Sequence, residues 1–192
     1  MRMFVALVPP DDALAGLAEF VEPRREAEPG FRWTDPEQWH VTLSFMEDVT
    51  ERRLDDLLAR LERAARRRTS FSAAIAGGGA FPNPARAKVL YAGVAADPDT
   101  VELTRLATGV RAAGNKAGAP AAGGPFHPHI TLARLRGPAE ATRWVRILDS
   151  YQGPVWPARR ITLIASHLGE GPRRRPRYEP VASFDLGEAA TG

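Results

Sequence analysis

The tetrapeptide histidine–apolar–threonine–leucine is written twice in this chain, as His40-Val41-Thr42-Leu43 and as His129-Ile130-Thr131-Leu132, 89 residues apart. Each copy sits in an alternating polar–apolar run, the mark of a strand with one face buried. In the first, Trp39, Val41, Leu43 and Phe45 fall on one face and His40, Thr42 and Ser44 on the other. In the second, His129 and Thr131 stand side by side while Ile130 and Leu132 turn to the core. If the two halves are related by a pseudo-two-fold, the strands face each other across one cleft. That cleft then holds two imidazoles and two hydroxyls.

The rest of the chain supplies strands and helices to frame such a cleft. "MFVALV" (3–8) reads as a strand buried on both faces, stopped by Pro9-Pro10, where a helix opens that Pro23 and the polar stretch after it end. "FRW" (31–33) and "WHVTLSF" (39–45) are strands. Leu54, Leu57, Leu58 and Leu61 form a stripe at helical spacing within 50–68, with Thr50 at the N-cap. Residues 71–81 and 88–95 read as strands around the Pro-rich turn "FPNPAR", and 98–114 as a helix. By composition 114–126 is a flexible linker. A strand from 129, a helix over about 138–149 and strands at 159–168 and 178–186 follow, with a frayed tail after Leu186. The expected class is α+β, a single domain over 1–192 with pseudo-repeat halves; 44% hydrophobic residues suffice for its core. Gly77-Gly78-Gly79 does not sit at a strand-to-helix junction, as a dinucleotide fingerprint requires.

Composition narrows the chemistry. Cysteine is absent, which removes disulfides, thiolate nucleophiles and thiolate metal ligands. Lys plus Arg number 26 against 23 acids, and only Lys88 and Lys116 are lysines. An Arg-dominated surface suits a phosphate-bearing partner through bidentate contacts, and coding bias toward Ala, Arg, Gly and Pro produces the same count. No apolar run is long enough to span a bilayer. Met3–Val8 is too short for the apolar region of a signal peptide, so a cytoplasmic location is expected, with no membrane partner. A monomer is the expectation.

Two histidines in one cleft can work as a base and an acid in the same turnover, because imidazole titrates near neutral pH. Threonine hydroxyls can donate to oxygens that gain negative charge. Displacement at phosphorus fits that set: one histidine activates water, the threonines hold non-bridging oxygens, and the other histidine protonates the leaving oxygen. His127 and His129 are spaced as a metal pair, but Pro128 interrupts the strand and no third ligand of matching spacing is present. No metal and no other cofactor is expected. His167 reads as a structural or surface histidine.

With these motifs the sequence resembles the two-histidine (2H) phosphoesterase superfamily, and within it the RNA 2′,3′-cyclic phosphodiesterases once named 2′-5′ RNA ligases. "RMFVALVPPDDALAGL", "WHVTLSFMEDV", "GGGAFPNPARAKVLYAGV", "FHPHITLAR" and "ITLIASHLGEGPRRRPRYEPVASFDL" carry the resemblance over nearly the whole chain. It implies two pseudo-symmetric lobes, each an antiparallel sheet with helices outside, and a metal-free cleft between them. It implies His40, Thr42, His129 and Thr131 as the catalytic set, acting on RNA or nucleotides that end in a 2′,3′-cyclic phosphate. The product is a 2′-phosphate, with weak 2′-5′ joining as a side activity. Of the pair, His40 is expected as proton donor and His129 as proton acceptor.

Phe45 and Arg134 each lie five residues after their histidine. The resemblance puts Arg134 on the phosphate and Phe45 on the base, yet simple alternation turns both away from the cleft. A twist or bulge is needed to bring them back. Two departures stand out. Lys88 takes the place of the family's Arg before Val89-Leu90-Tyr91, and the family's "GP-x-Y" is expanded to "GPRRRPRY" (171–178). The Arg cluster at 173–177 either holds RNA backbone or is a solvated loop. Competing readings are an RNA-end binding protein without required turnover, and a related enzyme acting on small cyclic nucleotides or 2′-5′ oligoadenylate.

Overall fold

The computed structural model describes residues 1–96 and 98–188 of the 192-residue chain. Strand β1 (Met3–Leu7) is buried along its whole length. It lies between β3 (Val41–Met46) and β8 (Arg160–His167), antiparallel to both, and β8 carries β9 (Arg177–Asp185) on its far edge. An unbroken apolar run suits a strand so flanked, because neither edge nor face meets water. A second group consists of β4 (Phe71–Phe81), β5 (Ala87–Ala95) and β6 (His129–Ala139). In it β7 (Trp156–Ala158) lies outside β4, and β2 (Arg32–Trp33) lies beside β6.

The two groups join where β3 meets β6, giving the order β7-β4-β5-β6-β3-β1-β8-β9. All these pairings are antiparallel, and the α+β class stands as expected. Lobe and sequence half do not coincide: β1, β3, β8 and β9 come from both ends of the chain. Helices α2 (Glu51–Arg66) and α3 (Thr100–Lys116) pack on each other and on β9 and β3 respectively. Helices α1 (Asp11–Arg25) and α4 (Thr142–Asp149) lie against β4. The leucine stripe of α2 buries Leu57 and Leu61. No helix among the described residues is long and apolar enough to cross a membrane.

Several local expectations are corrected. Pro23 does not stop α1, which runs on to Arg25. Pro23 has no N–H to donate to the Glu19 carbonyl, yet the helix continues past it, and in this last turn the guanidinium of Arg24 donates to the Phe20 carbonyl and lies 4.4 Å from the Phe20 ring centroid. The fourth helix begins at Thr142 rather than near 138, because β6 stays extended to Ala139 opposite Ala87. Strand β7 has no counterpart among the sequence expectations; Pro157 fits it as an edge strand. The stretch 114–126 is no free linker. Its first residues complete α3, Ala117 and Ala119 are buried, and Ala121 pairs with Met46. Beyond Leu186, Gly187 is tied to Arg68 and Ser70 by backbone hydrogen bonds. The remaining tail, 189–192, lies outside the described residues.

Candidate active site

Val41 opposite Ile130 is the register pair that joins β3 to β6. These are the residues between histidine and threonine in the two motifs. Antiparallel strands in that register carry His40 beside Thr131 and Thr42 beside His129, with all four side chains on one face. The pseudo-two-fold thus passes through the middle of the paired motifs, and the joint is the floor of the cleft.

Both strands break their alternation at the motif leucine. Opposite β1, Ala6 faces Thr42 but the adjacent Val5 faces Ser44, so Leu43 is an extra residue. Opposite β5, Tyr91 faces Thr131 but Leu90 faces Ala133, so Leu132 is extra. One extra residue shifts the side-chain period by one and turns every later residue to the opposite face. Ser44 is therefore buried at 2% exposure rather than sharing the polar face with His40, while Phe45 comes round to the cleft. Arg134 comes round in the same way. The bulge that the odd spacing demanded is present in both copies at the same motif position.

The cleft has a volume of about 280 Å³, and His40, Thr42, Phe45, His129, Thr131 and Arg134 all line it. Each imidazole is oriented by a carbonyl two residues upstream: His40 Nδ1 donates to Gln38 O at 2.8 Å, and His129 Nδ1 donates to His127 O at 2.6 Å. A carbonyl only accepts, so Nδ1 bears the proton in both rings and Nε2 is the basic nitrogen. The Thr42 hydroxyl lies 3.0 Å from His40 Nε2 and donates to it.

Burial is the largest influence on both rings. It pulls the His40 pKa down to about 4, against the opposing Gln38 hydrogen bond and with added repulsion from His129. The His129 pKa is lowered by burial too, opposed by the His127 carbonyl and assisted by the charges of His127 and Arg134. Both are neutral at pH 7. The unfolded chain takes up a proton at His40 below about pH 6.5, whereas the folded chain does so only near pH 4. Stability is then lost as pH falls through that window, by roughly 3 kcal/mol. His40→Gln should flatten the curve of urea midpoints between pH 7 and pH 4.5. Parallel curves for the two proteins would contradict the buried neutral imidazole.

Aromatic rings that the sequence does not signal enclose both histidines. Phe4 stacks on His40 at 4.5 Å and Tyr178 meets its edge at 5.6 Å. Phe81 meets His129 edge-on at 5.0 Å, with Tyr91 at 5.3 Å. Phe4 is masked by the uniform apolarity of β1, whose second face, Phe4 and Ala6, forms a small cluster with Ile164, Phe45 and Tyr178. Arg2 also lines the cleft, its guanidinium 5.1 Å from the Phe45 ring centroid.

The glycine run has a packing role. A Cβ at Gly78 would strike Leu148, and one at Gly79 would overlap the Tyr91 ring. His127 is engaged by Tyr91, whose hydroxyl lies 3.0 Å from its Nε2. Among the described residues no group of three or more His, Cys, Asp or Glu side chains is placed to hold a metal. Lys88 is exposed and outside the cleft lining, and His167 pairs with Glu179 at 2.8 Å.

Family comparison agrees with this geometry. The family described as "LigT like Phosphoesterase" matches residues 7–91 and 94–173. The chain belongs to the LigT-like phosphoesterase family. An RNA 2′,3′-cyclic phosphodiesterase of Thermus thermophilus is 34% identical over 195 residues, covering 97% of this chain and 90% of that protein. One from Aquifex aeolicus is 31% identical, covering 81% of this chain and 82% of its own. Among solved structures, a Thermus thermophilus protein superposes with a TM-score of 0.76 at 33% identity, over 98% of this chain and all of that one. LigT of Escherichia coli in its apo form shares the fold of this LigT-like chain, with a TM-score of 0.76 at 23% identity and coverage of 97% and 98%.

Proposed function

We propose that the chain hydrolyses terminal 2′,3′-cyclic phosphates of RNA to 2′-phosphates, by metal-independent acid–base catalysis between His40 and His129. The observation that carries this reading is the single Val41–Ile130 register, which gathers both imidazoles and both threonines on one cleft floor. The relatives named as RNA 2′,3′-cyclic phosphodiesterases support the substrate class.

In the proposed reaction a water oxygen attacks phosphorus opposite O3′. His129 Nε2 takes the water proton, the P–O3′ bond breaks, and His40 delivers a proton to O3′. The charge that builds on the non-bridging oxygens is met by the hydroxyls of Thr42 and Thr131 and by the Arg134 guanidinium. His40, neutral in the free protein, is loaded when an anionic phosphodiester enters the cleft, because a nearby negative charge favours the imidazolium. A protonated Nε2 no longer accepts from Thr42, which frees that hydroxyl for the phosphate.

One chain supplies both motifs, so a monomer suffices, and the proposed compartment is the cytoplasm. Weak 2′-5′ joining is the same in-line displacement with the 5′ hydroxyl of a second strand in place of water: His129 takes its proton, the P–O5′ bond forms as the P–O3′ bond breaks, and His40 protonates O3′.

The test is a short RNA bearing a cyclic phosphate end, followed by chromatography of the product. A 2′-phosphate should form at an undiminished rate in excess EDTA. Loss of activity with EDTA and recovery with zinc would favour a metal at His127 and His129 instead.

A further inference from the structure

The Arg-rich expansion at 171–176 is a built loop rather than a solvated one. Arg175 N donates to Pro172 O at 3.1 Å and Gly171 N to Arg175 O at 2.8 Å, closing it on itself. Gly171 is packed so tightly against the Arg175 and Pro176 carbonyls that a Cβ would not fit. Arg173 and Arg174 hold consecutive left-handed conformations, with φ of 55° and 58°. Left-handed backbone is costly for residues with a Cβ and persists where surrounding contacts over-determine it.

The five residues 173–177 then divide by their partners. Arg177 is neutralised by Glu170 at 2.8 Å and Glu179 at 3.3 Å, so it closes the base of the loop. Among the described residues no carboxylate pairs with Arg173, Arg174 or Arg175. Arg175 and Pro176 form part of the cleft wall, while Arg173 and Arg174 stand exposed outside it. A row of unneutralised guanidiniums therefore leads from the cleft outward, on a backbone held in one conformation.

One further contact ties this loop to the chemistry. Gln38 Nε2 donates to Pro176 O at 2.8 Å, and the carbonyl of the same Gln38 accepts from His40 Nδ1 at 2.8 Å. Gln38 is thus a positioning residue: its side chain fixes the loop and its backbone fixes the imidazole.

Resting on the reading above, we propose that the 171–176 loop is the binding site for RNA backbone phosphates 5′ of the terminal nucleotide. Arg175 takes the phosphate nearest the cleft, and Arg173 and Arg174 take the next ones. The cleft itself has room for the terminal cyclic nucleotide, so a strand must leave it past a wall; Arg2 and Arg32 also line the cleft, but at the 171–176 wall the positive charge continues outward from Arg175 to the exposed Arg174 and Arg173. A chain of phosphodiesters is the ligand whose charges repeat along such a row. The protein is in this way selective for polymer ends over free cyclic nucleotides.

The test measures binding of a 5′-labelled ten-nucleotide single-stranded RNA with a non-cyclic 2′-phosphate end, by fluorescence anisotropy across salt concentrations. Such binding needs no turnover, so its result is independent of whether the hydrolytic reading holds. Arg173→Asn/Arg174→Asn is the variant of choice, because Asn tolerates left-handed backbone and the fold is retained. Each phosphate contact on a single strand contributes about 0.7 to the slope of log affinity against log salt, so the double variant should flatten the slope by about 1.4. Arg52→Gln/Arg63→Gln removes the same charge from the exposed face of α2 and should leave the slope unchanged. An unchanged slope for the loop variant, or an equal flattening in both variants, overturns the proposal. In turnover, the ratio of kcat/KM for the oligonucleotide to that for a cyclic mononucleotide should fall about tenfold in the loop variant. Activity on both substrates with that ratio intact would sink the loop site while leaving the hydrolytic reading standing.

Discussion

His40→Ala and His129→Ala should each lower turnover of a cyclic-phosphate RNA end by about 10²–10⁴-fold, the usual cost of losing a general acid or base. The two variants should differ in stability. His40 is packed between Phe4 and Tyr178, so its removal leaves a gap among aromatic rings. His129 is less enclosed, and its loss should cost less. Circular dichroism and thermal unfolding of each variant separate lost chemistry from lost fold. His40→Gln, closer in volume, provides a second measurement should the alanine protein prove too unstable. Near-full activity in a folded variant of either histidine would mean that the two-histidine mechanism is wrong.

Much of this site is legible in the sequence because its parts repeat. The H-x-T motifs identify their strands by alternation, and alternation also shows that Phe45 and Arg134 lie on the wrong face unless the strand bulges. What alternation does not reveal is where the extra residue falls. Nothing in Leu43 or Leu132 differs from an ordinary core leucine; the bulge is defined by the partner strands β1 and β5. The expectation that Ser44 shares the polar face fails for that reason, and the side chain is buried.

The neighbours Phe4, Tyr178, Phe81 and Tyr91 escape a reading of the sequence through the same non-locality. They reach the histidines from other strands, and strand order is set by pairings between residues far apart in the chain. Within the C-terminal hairpin, composition shows that arginines cluster at 173–177. Only the contacts of Glu170 and Glu179 separate Arg177 from Arg173, Arg174 and Arg175. The linker expectation for 114–126 fails because small residues such as Ala117 and Ala119 are as suited to close packing as to flexibility.

Sulfur at the 3′ leaving position should divide the roles of the two histidines. In-line attack puts water and O3′ on opposite sides of phosphorus, so one imidazole cannot readily serve both. The motifs are equivalent in outline, and their surroundings break the tie. Phe45 lines the cleft on the first strand and Arg134 on the second. With the base on Phe45, the nucleoside lies toward β3 and O3′ nearest His40. His129, less enclosed, is the ring that water reaches. On these grounds we propose His40 as proton donor and His129 as proton acceptor. A 3′ thiolate is a far weaker base than an alkoxide and leaves with little need of a proton. With the 3′-thio cyclic substrate, single-turnover rates of His40→Ala should return close to those of the unmodified protein, a recovery of most of the 10²–10⁴-fold deficit. His129→Ala should stay slow, because its missing function is the activation of water and the leaving group does not change that. Rescue of the His129 variant alone would reverse the assignment, and rescue of neither would show that proton delivery to O3′ is not what either histidine supplies.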